Sequence, residues 1–324
     1  MKAIKWHEGM QITEPGIYEG IPLEEYHGNR DLFDGPSISK SSLKWLLPLH
    51  GGSPKAFWGR WKWNPDRVEP TSSDALVFGK AAHCLLLGDE VFSEQFIVEP
   101  EKYFNEKTEK EVKWSNNANA CKDWHKAQAD AGLTVIKADQ LQMIRKIAED
   151  AAKYDLVKQG ILNGEIERTL CLKDPETGIW VTTRPDARPM PGVYSDLKTT
   201  SSLDEEFLSR QLFDAGYYLQ GGMTKLVCEA LGLPFEEFYL VYVLKDDVPD
   251  TTHVPISGTA IERGERSVRW CLKTIRQCLD AGEWHGARPF NEGNQPIYMK
   301  PWAADRLDEF LDREERSYPQ EEAA

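Results

Sequence analysis

Three things are scarce in this sequence: paired cysteines, long apolar runs and net positive charge. The six Cys, at positions 84, 121, 171, 228, 271 and 278, include no CxxC pair, which argues against a structural zinc site or a disulfide framework and for reduced, buried thiols. No apolar run approaches the roughly 20 residues needed to span a bilayer, and the opening MKAIKWHEGMQITEPG lacks the uninterrupted apolar stretch of a signal peptide. A cytoplasmic chain with no membrane partner is the expectation. Lys and Arg number 39 against 53 Asp and Glu, a net charge of -14, which excludes a protein that coats nucleic acid by neutralising many phosphates. It leaves room for an enzyme that confines positive charge to a channel and uses carboxylates to hold cations.

What is present describes a folded globular chain. Its 324 residues, 40% hydrophobic and 28% charged, suffice for a full core and suggest one elaborated α/β domain. Residues 1–36, rich in Gly, Pro and Glu, read as an extended lead-in. ISKSSLKWLL (38–47) reads as a capped amphipathic helix. In KAFWGRWKW (55–63), Phe57, Trp58, Trp61 and Trp63 interleave with Lys55, Arg60 and Lys62. That pattern suits stacking on bases and holding phosphates, with Trp58, Arg60, Trp61 and Lys62 as contacts. It equally suits a Trp-rich helix packed on the core. SDALVFGKAAHCLLL (73–87) reads as a buried helix capped by Ser73, with His83 inside it. A helical insertion occupies about 101–160: an exposed, partly ordered stretch to 132, then helical spacing from 137 to Gly160. An acidic tail is expected over 311–324.

The stretch from Glu165 is the most informative. EIERTLCL, IWVTTRPDAR and VYSDLKTT are separated by the turn segments KDPETG and PMPG, which predicts an antiparallel meander of three strands. One helix follows, opened by the capping box Ser202 to Glu205 and carrying Leu208, Leu212, Ala215, Leu219, Met223, Leu226 and Ala230 at spacings of three and four. FYLVYVL (238–244) is then a buried strand, and a long helix lies C-terminal to it. The fold class is therefore α/β (α+β), a mixed central sheet with an antiparallel meander, flanked by helices.

Strand alternation places Asp196 and Lys198 on one face, and the PMPG turn returns Asp186 beside them. Two carboxylates and an ammonium group at one sheet end suit metal-assisted phosphodiester hydrolysis. Mg2+ takes oxygen ligands and keeps waters and substrate phosphate in its shell. Lys198 would orient the attacking water or stabilise developing charge. Alone, a D-x-K tripeptide reads as a surface ion pair of little worth; its setting between a Pro-Gly turn and a long helix raises it above that. Arg184 would reach a phosphate bidentately or pair with a nearby carboxylate.

RPDAR (184–188), YSDLKTT (194–200) and GYYLQGG (216–222) together resemble the PD-(D/E)XK nucleases of the RecB-like branch, above all the RecE-type exonucleases of phages and prophages. ISKSSLKWL, SPKAFW, FGKAAHCLLL and the Pro301-Trp302 pair extend the resemblance across about residues 17–310. It implies a single PD-(D/E)XK nuclease domain over 37–310. It makes Asp186 and Asp196 the metal carboxylates, Lys198 the catalytic lysine, His83 a metal-holding histidine and Gln220 the glutamine that follows the active site on the next helix. Glu167 matches an acidic position on the first strand, a group behind the ligands or a ligand of a second metal. By itself, a His in an apolar helix reads as a hydrogen-bonded core residue. Thr224 stands where related nucleases often carry Tyr. Cys271 and Cys278 lack the third partner of relatives with an iron–sulfur cluster, so no cluster is expected.

The implied activity is Mg2+-dependent exonucleolytic digestion of linear double-stranded DNA from its 5′ ends, with Mn2+ as a substitute metal because imidazole is a softer ligand than Mg2+ usually takes. The products would be 3′ single strands for recombination. The implied partners are DNA ends, further copies of the chain in a ring-shaped homo-oligomer, and a single-strand annealing protein. A single-strand or flap nuclease of the same superfamily, or a non-catalytic DNA-end-binding protein on the same fold, are the other readings.

Overall fold

At residues 184–186 the chain leaves one five-stranded sheet and enters another. The computed structural model describes residues 1–69, 73–88, 92–287, 296 and 298–317. These form two compact units, Met1–Gly286 and Ala287–Ala324. Within the first unit the chain begins with β1 (Ile4–Lys5), β2 (Gly16–Glu19), α1 (Leu23–Gly28), β3 (Ser37–Ser39), α2 (Lys40–Leu43), α3 (Pro54–Trp58) and α4 (Asp74–Leu87). Then come α5 (Phe92–Gln95), β4 (Phe96–Val98), β5 (Lys102–Asn105), β6 (Lys110–Lys113), α6 (Asn119–Asp130), β7 (Thr134–Ile136), α7 (Ala138–Ala151) and α8 (Asp155–Lys158). The remainder is β8 (Glu165–Ile166), β9 (Thr169–Lys173), β10 (Trp180–Thr183), β11 (Ala187–Met190), β12 (Gly192–Thr200), α9 (Glu205–Asp214), α10 (Tyr217–Ala230), β13 (Phe235–Leu244), β14 (Thr251–Pro255) and α11 (Gly258–Ala281).

The first sheet has the order β1-β2-β9-β10-β3 and the second β14-β13-β12-β11-β8. Both mix parallel and antiparallel pairs, as β12 runs parallel to β13 and antiparallel to β11. This is the mixed α/β architecture expected, with one correction: the predicted meander is divided between the two sheets. Pro185 has no N–H to donate to a ladder, so the strand through Arg184 and Asp186 cannot continue as one. Its antiparallel neighbour breaks at the same level, where Glu167 adopts φ 47° and its N–H donates to the Asp186 carbonyl (3.0 Å). Below the break Thr183 pairs with Leu170, and above it Ala187 pairs with Ile166.

Three other expectations change. The single helix over 202–231 is two, because Gly216 takes a left-handed φ of 70° that ends one axis and starts another. Asp204, not Ser202, caps α9, accepting from the Phe207 N–H (2.9 Å). The helix over 38–47 shrinks to α2, since residues 37–39 pair with β10 as β3. Residues 1–36 are no loose lead-in: Ile12, Ile17, Tyr18, Leu32 and Phe33 are fully buried, and β2 hydrogen-bonds to β9. The 101–160 insertion is an ordered hairpin and three helices, and Ser73 caps α4 as predicted, accepting from the Leu76 N–H (3.3 Å). The expected acidic tail begins inside α12 (Pro301–Ser317), the helix of the second unit, and residues 318–324 lie outside those described.

Helix α10 packs against β9 and β10 of the first sheet and β13 of the second. Its Leu219, Met223, Leu226 and Val227 are buried, each contributing about 1.5–3 kcal/mol of apolar burial. On its other side it crosses α11 at glycines: a Cβ on Gly264 would collide with the Tyr218 carbonyl oxygen, and one on Gly222 with the backbone of Gly264 and Glu265. Replacing Gly264 with Ala should therefore destabilise the protein by about 2 kcal/mol or more, the cost of overpacking a tight core. Urea denaturation reads this as a lower midpoint, and an unchanged midpoint would mean that the helices do not meet so closely.

Candidate active site

Strand β12 supplies the centre of the site because it is buried in the middle of its sheet, paired on both sides. Alternation sends Leu197 into the core shared with α4 and α7, and Asp196 and Lys198 to the opposite face, where α10 lies. Asp196 is 2% exposed and Asp186 9%. The Asp196 carboxylate forms an ion pair with Lys198 Nζ and accepts a hydrogen bond from Gln220 Nε2. Asp186 arrives from the break between β10 and β11. Its Oδ2 accepts the Leu197 backbone N–H (2.6 Å) and stands 3.4 Å from His83 Nδ1.

A fifth contact orients the imidazole. The carbonyl oxygen of Leu197 can only accept, so His83 Nε2–H donates to it (2.7 Å). In the neutral ring the lone pair is then on Nδ1, the nitrogen facing Asp186. A backbone acceptor behind a histidine is how metal-ligating rings are held in the right tautomer. His83, Asp186, Asp196, Lys198 and Gln220, predicted from four separate segments, thus converge around residues 196–198.

Burial and then the neighbouring Asp196 push the Asp186 carboxyl up to about 7, against the lowering pull of His83 and Lys198. Burial also opposes the Lys198 charge, but Asp196 and Asp186 outweigh it and hold this ammonium above its ordinary value. A buried carboxyl whose ionisation is opposed by burial and by a neighbouring carboxylate is an environment that a divalent cation relieves. The buried Gln220 Oε1, beside Asp196, has no hydrogen-bond partner and is free to accept from a cation's water shell. Among the described residues no three His, Cys, Asp or Glu side chains form a ready metal cage. The carboxylates of Asp186 and Asp196 are oxygen donors of the kind that hard divalent cations take, with water and substrate oxygens to complete the shell.

The other predicted residues are placed differently. Glu167 is joined to the site through its backbone bond to Asp186, and its side chain acts electrostatically on Arg184. Trp61 is 1% exposed and donates its indole N–H to the Ser37 carbonyl (2.7 Å). It is a core residue, which corrects the expectation that it stacks on bases. Trp58 is half-buried and stacks on Trp284 at 4.7 Å. Arg60 lies over the Trp45 ring at 4.2 Å. Lys62 donates to the Tyr26 carbonyl (3.0 Å). Sequence reasoning missed Lys40, although it sits in the ISKSSLKWL segment. Its ammonium lies 4.9 Å from the Tyr217 ring centroid, and Lys198 lies 5.0 Å from the same ring. Burial and then the charge of Lys198 hold Lys40 down to about 7.

Residues 53–287 match the family described as a PDDEXK-like domain of unknown function (DUF3799). The chain belongs to this PDDEXK-like family. Among solved structures it is similar to a protein from Eubacterium rectale described as a candidate exonuclease, with a TM-score of 0.56 and 14% identity over 89% of this chain and 98% of the other. At that identity the likeness establishes the shared fold. No curated protein matches the chain. Pro185-Asp186 and Asp196-Leu197-Lys198 lie within the matched residues. No helix among the described residues is long and apolar enough to cross a membrane.

The raised Asp186 carboxyl has a pH signature in metal-free protein. Asp186 binds its proton more tightly in the folded chain than in the unfolded one, whose value is near 3.8. Folding stability is therefore lost as pH rises from about 4 towards about 7. In EDTA, Asp186→Asn should gain stability over the native protein at pH 8 and show less gain at pH 4.5, measured as urea midpoints. An equal difference at both pH values would show that Asp186 is not strained by its charge.

Proposed function

We propose that this protein is a divalent-metal-dependent deoxyribonuclease that digests linear double-stranded DNA from its 5′ ends. The observation that supports hydrolysis is the convergence of two buried carboxylates and a protonated lysine on β12 and the 184–186 crossing. Asp186 and Asp196, with His83 Nδ1 beside them, would hold Mg2+ or Mn2+. When bound, the ion supplies Lewis-acid stabilisation of the phosphate and a water of lowered pKa.

The chain's own groups do the rest. Lys198, kept charged by its carboxylate neighbours, is a poor proton acceptor and serves as a fixed cation that orients a water or offsets charge on the phosphate oxygens. Gln220 holds Asp196 Oδ1 and Lys198 pairs with its Oδ2, while the Leu197 N–H holds Asp186 Oδ2, so both carboxylates are fixed in orientation. Lys40 places a second amine near Tyr217, the ring that Lys198 also approaches. The 5′-to-3′ direction, the preference for duplex ends, a ring-shaped homo-oligomer, a single-strand annealing partner and a cytoplasmic site of action in a bacterial host rest on the resemblance to RecE-type exonucleases.

The test is digestion of linear duplex DNA carrying one 5′ label, beside nicked circles and single strands, with Mg2+ or with EDTA. Metal-dependent release of 5′ nucleotides from the linear duplex alone is the expected result. Asp196→Ala and Lys198→Ala should each lower the rate by roughly 100-fold or more, the usual loss when a charge-stabilising group is removed. Preferential cleavage of single strands or flaps would move the activity to another branch of the superfamily, and no cleavage of any DNA form with either metal would refute the nuclease reading.

A further inference from the structure

We propose that Arg184, Lys62 and Lys80 form a subsite for a backbone phosphate of DNA, alongside the Asp186–Asp196 cluster. The choice of DNA as the ligand rests on the nuclease reading; the anion site itself rests on the geometry. Arg184 leaves the end of β10 two residues before Asp186. Its Nε donates to Thr169 Oγ1 (2.9 Å), its guanidinium lies 4.3 Å from the Tyr26 ring centroid, and its Nη2 is buried with no hydrogen-bond partner. Tyr26 is itself fixed, donating its hydroxyl to the Thr182 carbonyl (3.3 Å) and accepting from Thr182 Oγ1 (3.2 Å). An oriented, stacked guanidinium with an unmet buried donor is costly unless an acceptor arrives. A planar fork of this kind matches the paired oxygens of a phosphate.

Two lysines approach from other elements. Lys62 donates one proton to the Tyr26 carbonyl (3.0 Å), which leaves its other donors for a ligand. Lys80 is exposed on α4, one turn before His83. Among the described residues none of the three cations is in an ion pair. Glu167 acts on Arg184, and Glu25 on Lys62, only as more distant charges. Arg184 and Lys62 meet at Tyr26, one over its ring and the other at its carbonyl, and Lys80 shares a face of α4 with His83, whose Nδ1 stands 3.4 Å from Asp186. On a chain of net charge -14, a group of cations without acidic partners is a local reversal of sign, the footprint of a polyanion.

The position suits a strand whose neighbouring phosphodiester is at the carboxylates. Two residues of chain separate Arg184 from Asp186, a span of at most about 7 Å. A nucleic-acid strand rises about 3.4 Å per nucleotide, so the subsite is within a few nucleotides of the cluster.

Equilibrium binding of a fluorescent linear duplex to the full-length protein, in EDTA and over a range of salt, tests the subsite without cleavage. Lys80→Ala and Lys62→Ala should each weaken binding uniformly across DNA sequences and reduce the slope of log K against log[salt] by about 0.7 to 0.9, the effect of one lost phosphate contact. Arg184→Lys, which keeps the charge and removes the fork, should weaken binding with little change of slope. Asp196→Ala should keep the native slope while losing cleavage. Lys80 is exposed, so its variant should fold as the native chain does, and native slope and affinity in Lys80→Ala and Arg184→Lys would overturn the proposal. Reduced slopes in a protein that cleaves no DNA would uphold the subsite and refute the nuclease reading. Native slopes in a protein that cleaves would do the reverse, and no DNA binding at any salt would overturn both.

Discussion

Asp186 and Asp196 are buried side by side, and much of the surrounding structure answers the cost of placing two negative charges there. Each carboxylate has a donor fixed by the fold: the Leu197 N–H for Asp186, and Gln220 and Lys198 for Asp196. The donors come from a strand interior and a packed helix, elements that do not relax when charge changes nearby. The pair remains strained all the same, since burial and Asp196 push Asp186 up to about 7. Strain held in this way is characteristic of functional sites; a fold selected for stability alone would have no use for it.

The pair exists because the chain changes sheets at one point. Pro185 ends a ladder that would otherwise run on, and the left-handed Glu167 interrupts the neighbouring strand at the same height. The gap places Asp186 against the middle of β12 rather than at the distant end of a hairpin. Helix α10 then spans both sheets, tied to β10 through Thr224 and Thr183 (2.8 Å), so the same helix that closes the core carries Gln220 to Asp196. Stability and site geometry therefore rest on the same contacts.

Charge is distributed with the same economy. The chain is acidic overall, yet Lys198 and Lys40 flank Tyr217, and Arg184 lies over Tyr26. Aromatic faces keep these basic groups ordered at modest cost.

Local chemistry was legible in the sequence. Pro-Gly turns, the apolar spacing of the helix around Leu219 and Met223, and the alternation that puts Asp196 and Lys198 on one face depend on neighbours a few residues apart, and each appears as read. So does the Ser73 cap. The division of the meander into two sheets was not legible, because Pro185 acts together with a backbone angle at Glu167, nearly twenty positions away. The split at Gly216 and the burial of Trp61 depended on what packs against them. The tautomer of His83 is set by the Leu197 carbonyl, and the approach of Lys40 by β3 pairing with β10. By itself the sequence put Asp196 and Lys198 on one strand face through alternation, and through its resemblance to PD-(D/E)XK nucleases it named His83, Asp186 and Gln220 as candidates beside them. Only the tertiary structure decided how the donors are oriented and which cations share a site, because contacts between residues 40, 83, 186, 198 and 220 arise when the two sheets close around α10.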